Sequence, residues 1–295
     1  MSSESITRVK KTIKGESTDR IPRGELIVGD EVVQKYYQTD QVYFDQRYQF
    51  IKDMEMDLYS ASPKYIHESH ALDIDLNHLE LDKWSDKGDV FTFVLIDGAF
   101  ELGMRYFGFG EFMGMLHKSN EELQDFVKMV HQLNVKTIKR AADQGIHGIV
   151  YADDVAFQDG LFLRPSVFKD VFLGSMEEQV EEMYRQQVVP FFHSDGDYIT
   201  IVPDIVDCGF QGVHCIDYNC GMNLEKIRKE TTELCLWGHL DQKDIDGCEE
   251  PAACRNIKME IEQTTGGKQI ILGTNSGLFE GINVDRLKNL YEFIQ

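Results

Sequence analysis

Five stretches of this chain put histidine, aspartate, cysteine and asparagine where a reaction could use them. They are Tyr151-Ala-Asp-Asp154, His193-Ser-Asp-Gly-Asp197, His214-Cys-Ile-Asp-Tyr-Asn-Cys-Gly221, Gly238-His-Leu-Asp241 and Thr274-Asn-Ser-Gly277. Two chemistries fit these residue types. One is a divalent metal held by imidazole nitrogen with carboxylate oxygen or thiolate, with a position left open for substrate. The other is metal-free acid–base work by a histidine among carboxylates, each shifting the others' pKa. Residue types alone do not choose between them. Each residue also has a structural reading. Asp153, Asp154 and Asp195 suit loop caps and Asx turns, and so does Asp217. His214 lies inside an expected strand, and Cys215 and Cys220 suit packing.

These stretches gain meaning from what precedes them. Each follows a short apolar run, and such runs recur eight times: Glu25–Val28, Asp57–Ala61, Phe91–Ile96, Gly148–Tyr151, Val189–His193, Gly212–Ile216, Leu234–Gly238 and Gln269–Gly273. They are nearly continuous in hydrophobicity, as a parallel sheet covered on both faces requires. Helical patterns alternate with them, most clearly at Asn120–Gln144, Pro165–Gln186, Asp197–Cys208, Cys248–Thr264 and Val284–Phe293. Asn120 suits an N-cap ahead of Glu121 and Glu122, and Gly145 and Gly209 suit helix ends. The expectation is an α/β fold: a single (β/α)8 TIM barrel over residues 1–295, with an extra N-terminal helix within Met1–Gly15. In such a barrel the active site sits at the C-terminal mouth of the strands. A doubly wound sheet is the alternative, but no G-x-G-x-x-G follows an early strand. Segment Gly98–Lys118 is rich in Phe and Met. It serves either as core or as an apolar lid over the mouth.

Composition narrows the partners. The formal net charge is −21, which disfavours nucleic acid and anionic membrane surfaces. No apolar run approaches the ~20 residues of a membrane span, and none follows Met1 as a signal peptide would. All six cysteines fall between Cys208 and Cys254 without C-x-x-C spacing, which suits structural thiols in a cytoplasmic protein.

The order of motifs resembles the uroporphyrinogen decarboxylase superfamily. The opening Arg8-Val-Lys-Lys-Thr-Ile-Lys-Gly15 with Asp19-Arg-Ile-Pro22 is similar to that superfamily's start. Pro190-Phe-Phe-His-Ser-Asp-Gly196, Val206-Asp-Cys-Gly209 and Gly212-Val-His214 resemble its fifth and sixth barrel units. Leu236-Trp-Gly-His-Leu-Asp241 and Asn275-Ser-Gly-Leu-Phe-Glu-Gly-Ile282 resemble its last two. The resemblance implies one of two activities. True decarboxylases bind an octacarboxylate porphyrinogen through an arginine-rich segment after the first strand. Here that place reads Gly24-Glu-Leu-Ile-Val-Gly-Asp30 with only Arg23 nearby, and Ser276 replaces the family's late histidine. Carboxylates need arginine clamps, so this branch is disfavoured.

The other branch comprises corrinoid-dependent methyltransferases. Members that methylate coenzyme M carry an H-x-C zinc site and a later cysteine. His193 matches, but Asp195 stands at the first cysteine, and Asn275 or Ser276 at the second. The resemblance therefore implies a demethylating methyltransferase. It would move a methyl group from a small O-methylated donor, such as a methoxylated aromatic, to the cobalt of a separate corrinoid protein. His193, Asp217 and Asp154 are the expected catalytic residues. Zinc is the expected metal, on His193, Asp217 and Asp195. Asp153, Asp195, His239 and Asn275 are expected to bind substrate, with Phe107 and Met113 as an apolar wall. A homodimer is compatible with this reading. The remaining alternatives are a decarboxylase-type lyase, a non-catalytic ligand-binding barrel, and a metal-dependent hydrolase or lyase on the same fold.

Overall fold

The computed structural model describes residues 3–68, 71–118, 121–248 and 251–294. Eight parallel strands form one sheet in sequential order: β1 Gly24–Glu25, β2 Leu58–Ala61, β3 Phe91–Asp97, β4 Gly148–Ala152, β5 Val189–His193, β6 Gly212–His214, β7 Cys235–Trp237 and β8 Ile270–Ile271. A parallel bridge from Arg23 to Leu272, flanked by the Gly24 N–H donating to the Leu272 carbonyl, joins last to first and closes a (β/α)8 barrel. All eight expected strands are present. Several stop early: β6 ends at His214, two residues before its apolar run does.

Alternation along the strands separates an inner from an outer layer, although nearly every residue is buried. Phe91, Phe93 and Leu95 point into the barrel, as do Val150, Ala152, Phe191, Cys235, Trp237 and Ile271. Their neighbours Val94, Ile96, Ile149, Tyr151, Phe192 and Leu236 face the surrounding helices. A period of two therefore governs strands whose hydrophobicity does not alternate. The helix Glu4–Ile13 plugs the bottom: Ile6, Val9 and Ile13 join the inner layer. Ser3 accepts a hydrogen bond from the Ile6 N–H and caps that helix.

The helical expectations hold with local detail. Glu121–Ala142 fills the first, while Asn120 lies outside the described residues. Pro165–Gln186 is found as Pro165–Phe168, a π-helical stretch Lys169–Leu173 and Gly174–Arg185. Asp197–Cys208 shortens to Ile199–Ile201 and Val202–Asp207. Pro251–Thr265 covers most of the fourth, whose Glu249 and Glu250 lie outside the described residues. Val284–Phe293 forms as expected. Gly145 and Gly209 take the left-handed conformation expected of helix ends, at φ +82° and +91°.

Segment Gly98–Lys118 becomes two helices, Ala99–Phe107 and Phe109–Lys118. Phe100, Leu102, Phe112, Met115 and Leu116 are buried in the outer core layer. Among the described residues, no helix is long and apolar enough to cross a membrane.

Candidate active site

Strand register lines up four residues at the top of the barrel. Asp97 of β3 pairs with Ala152 of β4, Ala152 with His193 of β5, and His193 with His214 of β6. By parity Asp97 continues the inward row of Phe91, Phe93 and Leu95, and His193 continues that of Phe191. The same period carries Asp154 and Asp195 inward, two residues beyond Ala152 and His193. A cavity of about 470 Å³ opens above them. Asp97, Asp154, His193, Asp195 and Asn275 line it, with Leu26, Ile27, Leu95 and Phe279 as apolar walls.

Three of these groups converge. His193 Nε2 lies 3.5 Å from Asp154 Oδ1 and 3.9 Å from Asp195 Oδ1. Among the described residues, Asp154, His193 and Asp195 form the one group of three whose ligand atoms all lie within 4.8 Å of one another. Asp154 Oδ1 also accepts from the Asp195 N–H at 2.9 Å, which ties the β4 and β5 loops together. Burial and the charge of Asp154 push the Asp195 carboxyl up, while His193 opposes them. One imidazole nitrogen with two carboxylates suits zinc or another first-row divalent ion, with room for a substrate oxygen.

The other face of His193 is enclosed. Its Nδ1 lies 2.8 Å from Nδ1 of His214, whose Nε2 lies 3.2 Å from the Thr274 carbonyl oxygen. His214 is fully buried, and burial followed by His193 pulls its pKa well below the usual histidine range.

The expected site residues divide accordingly. His193, Asp154, Asp195 and Asn275 meet at the mouth. Asp217 does not join the three-residue group. Because β6 ends at His214, the chain turns before Asp217, whose carboxylate accepts from the Asn219 N–H, Asn219 Nδ2 and Cys220 Sγ. Asp153 has the opposite parity to Asp154 and points outward. Its Oδ1 accepts from the Glu101 N–H at 2.8 Å, in the first turn of the helix Ala99–Phe107. His239 is buried away from the cavity lining, and burial pulls its pKa down to about 4. Phe107 and Met113 are also absent from the lining. They pack against the outer core, Phe107 onto Phe112 and Phe126. The thiols near the mouth, Cys215 and Cys220, lie outside the three-residue group. Burial pushes Cys215 well above the usual thiol range and Cys220 up to about 11.

Three charged lining residues were not singled out from the sequence: Asp97, Glu101 and Arg105. Asp97 directly follows the apolar run of the third strand, so the strand-end rule applied one strand earlier would have found it. Arg105 bridges the two acids, at 2.6 Å to Asp97 and 2.7 Å to Glu101. Burial outweighs this pairing and pushes Asp97 up to about 7. A carboxyl raised in the folded state binds more protons there than in the unfolded chain. Stability therefore falls as pH rises from about 4 to about 7. In urea denaturation at pH 5 and pH 8, Asp97→Asn should lose less stability than wild type between the two. The difference should be on the order of 1–2 kcal/mol, discounted because Arg105 is half-exposed. Equal losses would remove this role from Asp97.

Fold and site together define a (β/α)8-barrel protein with a histidine–carboxylate centre at its C-terminal mouth. Residues 76–295 match the family model for uroporphyrinogen decarboxylase (URO-D), and the chain belongs to that family. No curated protein matches it by sequence. Its fold is similar to that of a methyltransferase from Methanosarcina mazei, with a TM-score of 0.73, 14% identity and 98% of each chain covered. A Listeria monocytogenes protein described as a vitamin-B12 independent methionine synthase gives 0.56 at 13% identity, covering 94% of this chain and 96% of that one. An Escherichia coli 3-keto-D-glucoside 4-epimerase gives 0.51 at 12%, covering 94% and 99%. Methyl transfer and epimerisation on one architecture mean that these likenesses show the fold alone.

Proposed function

We propose that this chain is a cytoplasmic methyltransferase that takes a methyl group from a small O-methylated donor and delivers it to the cobalt of a corrinoid carried by a separate protein. The observation that carries the reading is the convergence of His193, Asp154 and Asp195 at the mouth of a barrel of this family. The family resemblance suggests the acceptor, and the cavity chemistry favours the demethylating branch. Four carboxylates, those of Asp97, Glu101, Asp154 and Asp195, line the cavity against the single arginine Arg105. Arg105 is already paired with Asp97 and Glu101, so the described lining offers no free arginine clamp to a polyanionic porphyrinogen and suits a neutral donor.

In the transfer the methyl carbon–oxygen bond breaks with its electron pair going to oxygen, and the methyl binds the nucleophilic acceptor in line. The leaving oxygen is the difficulty, because a free phenol has a pKa of about 10. His193, Asp154 and Asp195 would hold a divalent metal, zinc by their donor set, and the ion would stabilise charge on that oxygen as a Lewis acid. Asp97, raised to about 7, can hold a proton at neutral pH and deliver it to the departing oxygen. Leu26, Ile27, Leu95 and Phe279 line the wall that keeps water from the methyl group.

Anaerobic incubation with a reduced corrinoid acceptor and a donor panel tests this reading by the absorbance of the methylated corrinoid. Methoxylated aromatics should react faster than donors that carry an additional carboxylate. A flat response across methoxylated aromatics, methanol and methylamines would remove the demethylase reading. Release of CO2 from uroporphyrinogen would instead favour the decarboxylase branch.

A further inference from the structure

We infer that His214 is a positioning residue that fixes the tautomer of His193, so that the mouth receives a lone pair on His193 Nε2. The inference deepens the proposed site, because it concerns the residue placed there as ligand or base. It rests on a directed chain of hydrogen bonds.

The chain begins at a group that can only accept. His214 Nε2 faces the carbonyl oxygen of Thr274 at 3.2 Å, so Nε2 carries the hydrogen and donates. His214 is fully buried, and no carboxylate hydrogen-bonds to it among the described residues. A neutral ring with its hydrogen on Nε2 has a bare Nδ1. The 2.8 Å contact between the two Nδ1 atoms then needs a hydrogen from the other side. His193 Nδ1–H donates to His214 Nδ1, and a neutral His193 ring is then left without a hydrogen on Nε2. That atom is the one 3.5 Å from Asp154. A free imidazole prefers the hydrogen on Nε2, which would close this position to a cation.

The surroundings hold the chain in place. Thr274 is pinned by Glu25, which accepts from the Thr274 N–H and Oγ–H and from the Tyr291 hydroxyl. Trp237 packs edge-on against the His214 ring at 5.0 Å. Gly238, at φ +74°, lies under the His214–Thr274 bond. A Cβ there would come within 2.6 Å of both His214 Nε2 and the Thr274 oxygen. A side chain at 238 would break the contact that sets the direction of the whole chain.

Two measurements on the full chain test this inference. In protein labelled with 15N at histidine, His193 should show a protonated Nδ1 and an unprotonated Nε2, and His214 the reverse. A neutral His193 ring with its hydrogen on Nε2 and none on Nδ1 would overturn the proposal. Zinc affinity, read by competition with a chromophoric chelator, should fall about 10- to 100-fold in His214→Phe, which keeps a ring but removes the acceptor. His214→Asn places an amide oxygen at the position of Nδ1 and should recover most of that loss. Wild-type affinity in a folded His214→Phe, or an Asn variant as weak as the Phe variant, would overturn the positioning role. If the Phe variant does not fold, the tautomer measurement on wild type decides alone. Failure of wild type to bind zinc would strike the metal reading, and the 15N spectrum would still decide the tautomer.

Discussion

His193→Ala should lower zinc affinity by at least about 100-fold while leaving the barrel folded. The imidazole supplies the nitrogen of the proposed three-group site, whose two carboxylates come from Asp154 in the β4 loop and Asp195 just beyond His193 itself. Removing it leaves Asp154 and Asp195, whose mutual repulsion no longer has a cation or an imidazole beside it. The fold should tolerate the change, because His193 packs at the open end of the barrel, above the inner layer. Methyl transfer should fall at least as far as metal affinity, since the leaving oxygen loses its stabilisation. Competition with a chelator gives the affinity, and near-ultraviolet circular dichroism confirms the packing. Unchanged metal binding would take His193 out of the ligand set.

The second large effect concerns stability. Trp237→Ala should cost about 3–5 kcal/mol and lower Tm by roughly 10 °C. Trp237 is fully buried inside the barrel. Its ring stacks on Phe93 at 5.4 Å and meets Phe191 edge-on at 6.1 Å. Its Nε1–H donates to the Gly24 carbonyl at 2.9 Å, tying the seventh strand to the first across the interior. Alanine removes the ring, the bond and the support beneath His214 together. Trp237→Phe should lose less, because it keeps most of the packing and gives up the hydrogen bond. Urea denaturation of the three proteins measures both steps. A loss below about 1 kcal/mol for alanine would mean that the inner layer closes around the gap.

These effects follow from how the sequence distributes its residues. Strand positions were legible because eight short apolar runs alternate with helical stretches, and only a covered parallel sheet needs such runs. His193 and Asp195 are two apart at a strand end, and Asp154 is two beyond Ala152. A period of two sends all three inward, so their meeting at the mouth was readable before any coordinates. Asp217 broke the rule because its strand ends at His214. Backbone pairing, which a run of apolar letters does not report, decides where a strand stops. Asp153 shows the same limit from the other side: it neighbours Asp154, yet parity turns it towards a helix N-terminus.

Phe107 and Met113 were harder to place. A helix rich in Phe and Met buries whichever face meets the core, and composition does not say which face that is. Here Phe100 and Leu102 turn inward to the outer core while Glu101 and Arg105 reach the mouth. The pairing of His193 with His214 was not legible at all. It depends on the lateral register of β5 and β6, and residues 21 apart carry no local signal of it.

The proposed function stands or falls on one divalent-metal site at the mouth of this barrel. Anomalous diffraction at the zinc edge, from crystals grown with zinc, tests it most directly. A single strong peak is expected roughly 2.0–2.2 Å from His193 Nε2 and from a carboxylate oxygen of each of Asp154 and Asp195. No peak at the mouth, or one held by other residues with His193 unengaged, would contradict it.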